Sequence, residues 1–142
     1  MNIVVDAGMT ASLFLNLPYS ASAEACFRQW RKNSDQLHAP AIWPAEMVSF
    51  LSHAVKTGLI KPEDALTVLG TLPDLLIRVA VPDPKLLEAA FLWTPRITEV
   101  TARDAQYLAL AEHLGATYWT TDQKLVRVLS KQHLDWVMCC IE

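Results

Sequence analysis

Four of the fifteen acidic residues fall where a strand ends or a helix begins: Asp6, Glu46, Asp104 and Asp122. Asp6 closes the run "IVVDAG", in which three apolar β-formers lead to a carboxylate followed by two of the smallest side chains. Glu46 stands two residues past Pro44, Asp104 three past Thr101, and Asp122 directly after "TYWTT". No basic residue occurs before Arg28, so a part-buried Asp6 has no local cation, and a buried charge needs a partner. Acids that met without cations would repel one another unless divalent ions neutralised them. Clustered carboxylate oxygens suit Mg²⁺ or Mn²⁺. Two such ions, roughly 3.5–4 Å apart, activate a water and stabilise the leaving oxygen of a phosphodiester.

That chemistry requires no side-chain nucleophile, and none is advertised. The chain has no GxSxG elbow, no GxxxxGK(S/T) phosphate loop and no GxGxxG turn, and His38, His53, His113 and His133 show no HExxH spacing. Each acid also has a plainer account. Glu46 and Asp104 fit first-turn acids favoured by the helix dipole, and Asp122 in "TTDQKL" fits an N-cap. Asp6 is the hardest to explain in this way, because it ends a strand that reads as buried.

The elements that would bring these residues together alternate. Strand-like runs occur at 2–6, 75–82, 117–120 and 135–141, with a weaker one, "QLHAP", at 36–40. Helical spacing appears over Ser22 to Trp30 and Pro44 to Val55, and over 62–72, 82–93 and 101–115. Apolar, helix-friendly residues also follow Asp6 in "TASLFLNL", and a helix follows Asp122. Gly58 and Gly115 read as helix C-caps, and Pro62 as a first-turn residue with acids just after it. Strands alternating with helices imply βαβ crossovers and a mostly parallel sheet covered on both faces, a three-layer α/β/α architecture. In open parallel sheets ligands bind beyond the carboxyl ends of the strands, and that is where all four acids fall.

At 142 residues, 52% hydrophobic and 19% charged, the chain reads as one globular domain over residues 1–142. No apolar run approaches the roughly 20 residues of a membrane span, and no signal-peptide pattern opens the chain. A cytoplasmic protein is expected. Cys26, Cys139 and Cys140 lack metal-site spacing and form no even-numbered disulfide framework. The net charge of −3 does not advertise nucleic-acid binding, but neutralising four carboxylates would reverse its sign.

With these residues in view, the chain resembles the PIN-domain family, specifically its VapC-like endoribonuclease toxins. The resemblance spans nearly the whole chain and rests on "IVVDAGMTASLFL", "APAIWPAEMVSFLSHAVKTGLI", "TARDAQYLALAEHLGATYWTTDQKL" and the closing "WVM". It implies a parallel sheet of about five strands and a metal site of Asp6, Glu46, Asp104 and Asp122. Thr120 matches the hydroxyl of the family's T-x-D motif, beside the acids. It further implies Mg²⁺- or Mn²⁺-dependent cleavage of single-stranded RNA, a homodimer, and in the toxin branch a small antitoxin protein. Relatives often carry a serine, threonine or asparagine two residues after the first acid; here that position is Gly8, and Thr10 is a substitute from the next turn. Some relatives also carry a further acid soon after T-x-D, whereas "QKLVRVL" supplies none.

Two basic stripes could meet phosphates. One is Arg28, Arg31 and Lys32; the other is Lys124, Arg127 and Lys131, directly after Asp122. The five tryptophans fit core or interface packing better than base stacking, and Trp43, beside Pro44 near Glu46, is the one to test for stacking. Rival chemistries fit less well. The DxDxT pattern of aspartate phosphatases fails at Gly8, and the acidic pair of phosphoacceptor domains is missing. The remaining alternative is a degenerate, non-catalytic PIN-like domain that binds RNA or protein.

Overall fold

The structure, a computed structural model, describes residues 1–141. Its elements run β1 (Asn2–Val5), α1 (Ala7–Ala11), α2 (Ser20–Lys32), β2 (Gln36–Ala39), α3 (Trp43–Lys56) and α4 (Pro62–Thr71). They continue with β3 (Arg78–Val79), α5 (Pro84–Arg96), α6 (Ala102–Leu114), β4 (Thr117–Thr120), α7 (Gln123–Ser130) and β5 (Val137–Cys139). The five strands form one sheet in the order β3-β2-β1-β4-β5, and every neighbouring pair is parallel.

β1 lies at the centre, with Ile3 beside Leu37 on one flank and Thr117 on the other. Its residues alternate between faces, as the two-residue period of a strand requires. Val4 packs with Leu108, Tyr118 and Val137 under α5, α6 and α7, whereas Ile3 and Val5 pack with Phe27 and Trp30 of α2. A third apolar cluster joins Ala7 and Ala11 of α1 to Met47 and Leu51 of α3. Both faces of the sheet are thus covered, which is why "IVV" is continuously apolar.

Three elements differ from the expected spans. The run 75–82 contracts to two exposed residues of β3, because Leu75 closes a 3₁₀ turn and Leu76 adopts φ +56°. A left-handed residue cannot extend a strand. At the other edge, 135–141 shortens to Val137–Cys139. After Asp6 the helix is brief and immediate, over Ala7–Ala11, instead of extending through "TASLFLNL". The Ser12 hydroxyl donates to the Met9 carbonyl at 2.6 Å, offering the backbone a local bond that competes with further helix. Gly115, with φ +60°, closes α6 as a left-handed C-cap, and Gly58, with φ +78°, follows α3. The three cysteines are free thiols. Among the described residues no helix is long and apolar enough to cross a membrane.

Candidate active site

Asp6 leaves β1 in an extended conformation and caps α1, where its carboxylate accepts the Met9 amide at 2.7 Å. Its other oxygen accepts the Thr120 hydroxyl at 2.5 Å, from the end of the neighbouring strand β4. Because β1 and β4 are parallel and paired, with Val5 beside Trp119, Asp6 and Thr120 reach the same edge together. Thr120 is fully buried and acts on both sides, donating to Asp6 and accepting the Asp122 amide at 3.0 Å. Burial pushes the Asp6 carboxyl up to about 6, helped by the nearby Glu46 charge and opposed by the hydrogen bonds from Thr120 and the Met9 and Thr121 amides.

Glu46 enters from the first turn of α3, whose Pro44 suits a helix start. Its side chain is 12% exposed, and both oxygens are engaged. The Tyr107 hydroxyl donates to Oε1 at 2.6 Å, and Arg103 Nε pairs with Oε2 at 3.3 Å. Burial, then the bond to Glu46, raises the Tyr107 hydroxyl far above its ordinary range, so it stays a donor. Its ring stacks on Tyr118, centroids 5.4 Å apart and 18° from parallel, which fixes its direction.

The other two acids hold helix ends. Asp104 forms a reciprocal capping box with Thr101: its own amide donates to the Thr101 hydroxyl at 3.1 Å, and its carboxylate accepts the Thr101 hydroxyl and amide at 2.8 and 3.2 Å. Asp122 caps α7, accepting the Leu125 amide at 3.0 Å. Both plainer accounts from the sequence are therefore realised. All four acids nevertheless line one cleft of about 170 Å³, with Thr120, Thr121, Gly8 and Arg103. Among the described residues, no three histidine, cysteine or acidic side chains stand close enough as they are to hold one ion. The donor set still fits a divalent cation in its chemistry, since every acid in the cleft offers hard carboxylate oxygens and Arg103 is the cation among its lining residues.

Two residues considered for the site, Thr10 and Trp43, do not line the cleft. Thr10 is fully buried; its hydroxyl donates to the Asp6 carbonyl at 3.1 Å and accepts Trp43 Nε1 at 3.2 Å. Trp43, 4% exposed, is committed to the core by that bond and its apolar neighbours, so it offers no stacking face. The basic stripes also separate. Arg31 lines a cavity of about 570 Å³ with Gln36 and Arg78, at the strands' N-terminal ends and away from the acids. Lys124 instead lines a groove of about 290 Å³ that shares Arg103, Asp104 and Asp122 with the acid cleft. Arg103, Tyr107 and Thr121 were not foreseen from the sequence. Arg103 had a signal, its place directly before Asp104. Tyr107 had none, because Glu46 lies 61 residues away.

The fold defines the class: an all-parallel five-stranded α/β protein of the PIN-domain type. No family model matches the chain. Ribonuclease VapC12 of Mycobacterium tuberculosis is 31% identical over 125 residues, covering 88% of this chain and 90% of that protein. Ribonuclease VapC3 of Pyrobaculum aerophilum is 29% identical over 126 residues, covering 88% and 92%. The chain belongs to the VapC ribonuclease family. Solved structures agree in fold. VapC20 of Mycobacterium tuberculosis, described as a sarcin-ricin loop cleaving toxin, superposes with a TM-score of 0.66 at 18% identity, covering 88% of this chain and 93% of that one. VapBC2 from Rickettsia felis, solved with a fragment of promoter DNA, gives 0.70 at 14% identity, covering 98% and 97%.

Proposed function

We propose that the protein is a toxin-type endoribonuclease that cleaves single-stranded RNA with Mg²⁺ or Mn²⁺ held by Asp6, Glu46, Asp104 and Asp122. The observation that carries this reading is the junction of Asp6 and Glu46, two enclosed carboxylates whose charges oppose each other in one cleft with two further acids. The ions, when bound, would activate water and stabilise the leaving oxygen. The chain's own part is positioning. Thr120 and the Met9 amide hold Asp6, and Tyr107 holds Glu46. Asp104 and Asp122 cap α6 and α7 at the rim of the same cleft. Arg103 and Lys124, on the continuous groove, suit the phosphates flanking the scissile bond. A homodimer, a small antitoxin partner and a cytoplasmic setting complete the proposal by likeness to the family. VapBC-1 from Haemophilus influenzae and VapBC2 from Rickettsia felis are related structures whose names pair the toxin with its partner.

One observation favours the second reading, a non-catalytic binding domain: Oδ2 of Asp104 already accepts both the hydroxyl and the amide of Thr101. The test is incubation of purified protein with mixed RNAs and Mn²⁺ beside Asp6→Asn and Asp104→Asn. The wild type should cleave, and each variant should lose on the order of 100-fold or more in rate. Equal cleavage by all three, or none by any, rejects the catalytic reading. A calorimetric Mn²⁺ titration without heat would favour the binding domain.

A further inference from the structure

Gly8 occupies the second position of α1, and its φ is not positive, so backbone freedom does not explain a glycine here. Space does. A Cβ built on Gly8 would lie 2.5 Å from the Thr121 hydroxyl oxygen, a separation that real side chains do not adopt, and 3.4 Å from Asp6 Oδ1. The volume that a side chain at residue 8 would fill is therefore held by the hydroxyl of Thr121, which arrives from the turn between β4 and α7. Thr121 is tied in place twice. Its side chain hydrogen-bonds the Tyr19 hydroxyl at the start of α2, and its amide donates to Asp6. Thr120 spends its own hydroxyl on Asp6 and the Asp122 amide, so it cannot also serve this corner.

We propose that Thr121 is a positioning residue: its hydroxyl, braced by Tyr19 and admitted by Gly8, holds the turn whose amide serves Asp6, and presents a polar group beside Gly8 and Asp6. Residues 8 and 121 thus compete for one space: one of them carries the hydroxyl and the other must be small. The inference rests on Asp6 being a metal ligand, and its test separates that reading from RNA cleavage.

The experiment measures Mn²⁺ affinity by calorimetry, Tm, and the kcat and KM of RNA cleavage for wild type, Thr121→Val, Thr121→Ser, Gly8→Ser and Gly8→Ser/Thr121→Ala. Valine keeps the shape and removes the hydroxyl, and should weaken Mn²⁺ binding and kcat about 10-fold with KM unchanged, as loss of a group that orients a metal ligand does. Serine at 121 should restore both. Gly8→Ser alone should lower Tm and affinity because two groups claim one space. Removing the Thr121 side chain in the double variant should recover both, a non-additivity that marks direct contact. Wild-type behaviour of Thr121→Val, a harmless Gly8→Ser, or a double variant no better than Gly8→Ser alone overturns the proposal. So does a wild type that binds no Mn²⁺. A wild type that binds Mn²⁺ but leaves RNA intact overturns only the ribonuclease reading, and the affinities and Tm values still decide the role of Thr121.

Discussion

The floor and the rim of the acid cleft are built on opposite terms. On the floor, Asp6 and Glu46 are enclosed side chains, each held by hydroxyl donors from distant elements, with Thr120 on Asp6 and Tyr107 on Glu46. Their charges disfavour each other, and burial pushes Asp6 towards its neutral form. On the rim, Asp104 and Asp122 sit at helix N-termini, where unpaired amides and the helix dipole welcome an anion. The floor therefore holds Asp6 at a cost to the fold, and the rim carboxylates stabilise it. Asp6 also caps α1, but Thr120 and Tyr107 hold the floor pair from outside their own helices, which capping alone does not require.

The largest expected effect comes from breaking the floor. The folded Asp6 carboxyl, near 6, lies above its unfolded value of 3.8. Between those two values the folded chain keeps a proton that the unfolded chain has released. The contribution from Asp6 is thus most favourable below 3.8 and is lost as pH rises through 6. The shift corresponds to about 3 kcal/mol. In metal-free protein with chelator, wild-type stability should fall across this window relative to Asp6→Asn, and the variant should be the more stable above pH 7. Parallel urea-denaturation profiles for the two proteins would show that Asp6 is not held against its charge.

A smaller effect is expected at the second floor residue. Tyr107→Phe removes a 2.6 Å bond to a charged acceptor while keeping the ring stacked on Tyr118. Hydrogen bonds to charged groups contribute about 1.5–3 kcal/mol, and Glu46 would be left with one oxygen unserved. Urea denaturation should record a loss in that range. An unchanged midpoint would mean that the hydroxyl does not support Glu46.

The contrast between floor and rim also separates what could be read along the chain from what could not. The acids were legible because each follows a local rule: a strand end, a first turn, an N-cap. Parallel topology then sends strand ends to one edge, and the alternation of strand-like runs with helical segments revealed that topology. The supports of the floor were not legible. Tyr107 meets Glu46, and Thr121 fills the space at Gly8, only after the sheet has brought separate elements together. Neither pairing leaves a periodic trace. Thr10 turned away for a related reason, since a polar residue near the site in sequence can enter the core, where it bonds Trp43, which packs there as expected of the tryptophans. The edge strand β3 shortened because Leu76 is left-handed, a choice of backbone that leucine does not announce.

The smallest effects belong to the rim, where fold and function should come apart under one pair of substitutions. Asp122→Ala removes the acceptor of the Leu125 amide and leaves a helix N-terminus uncapped. Such losses cost about 1 kcal/mol. Asp122→Asn keeps a side-chain oxygen for the same amide, and asparagine caps about as well as aspartate, so stability should hold. The asparagine is neutral, however, and a neutral amide is a poor ligand for a hard divalent ion beside three carboxylates. Under the proposed chemistry, thermal denaturation should therefore separate alanine from asparagine at position 122, while Mn²⁺ titration and RNA cleavage should fail with both. If asparagine kept full Mn²⁺ affinity, Asp122 would be a cap and nothing more. The rim would then have a single role, and the metal reading would rest on the other three acids.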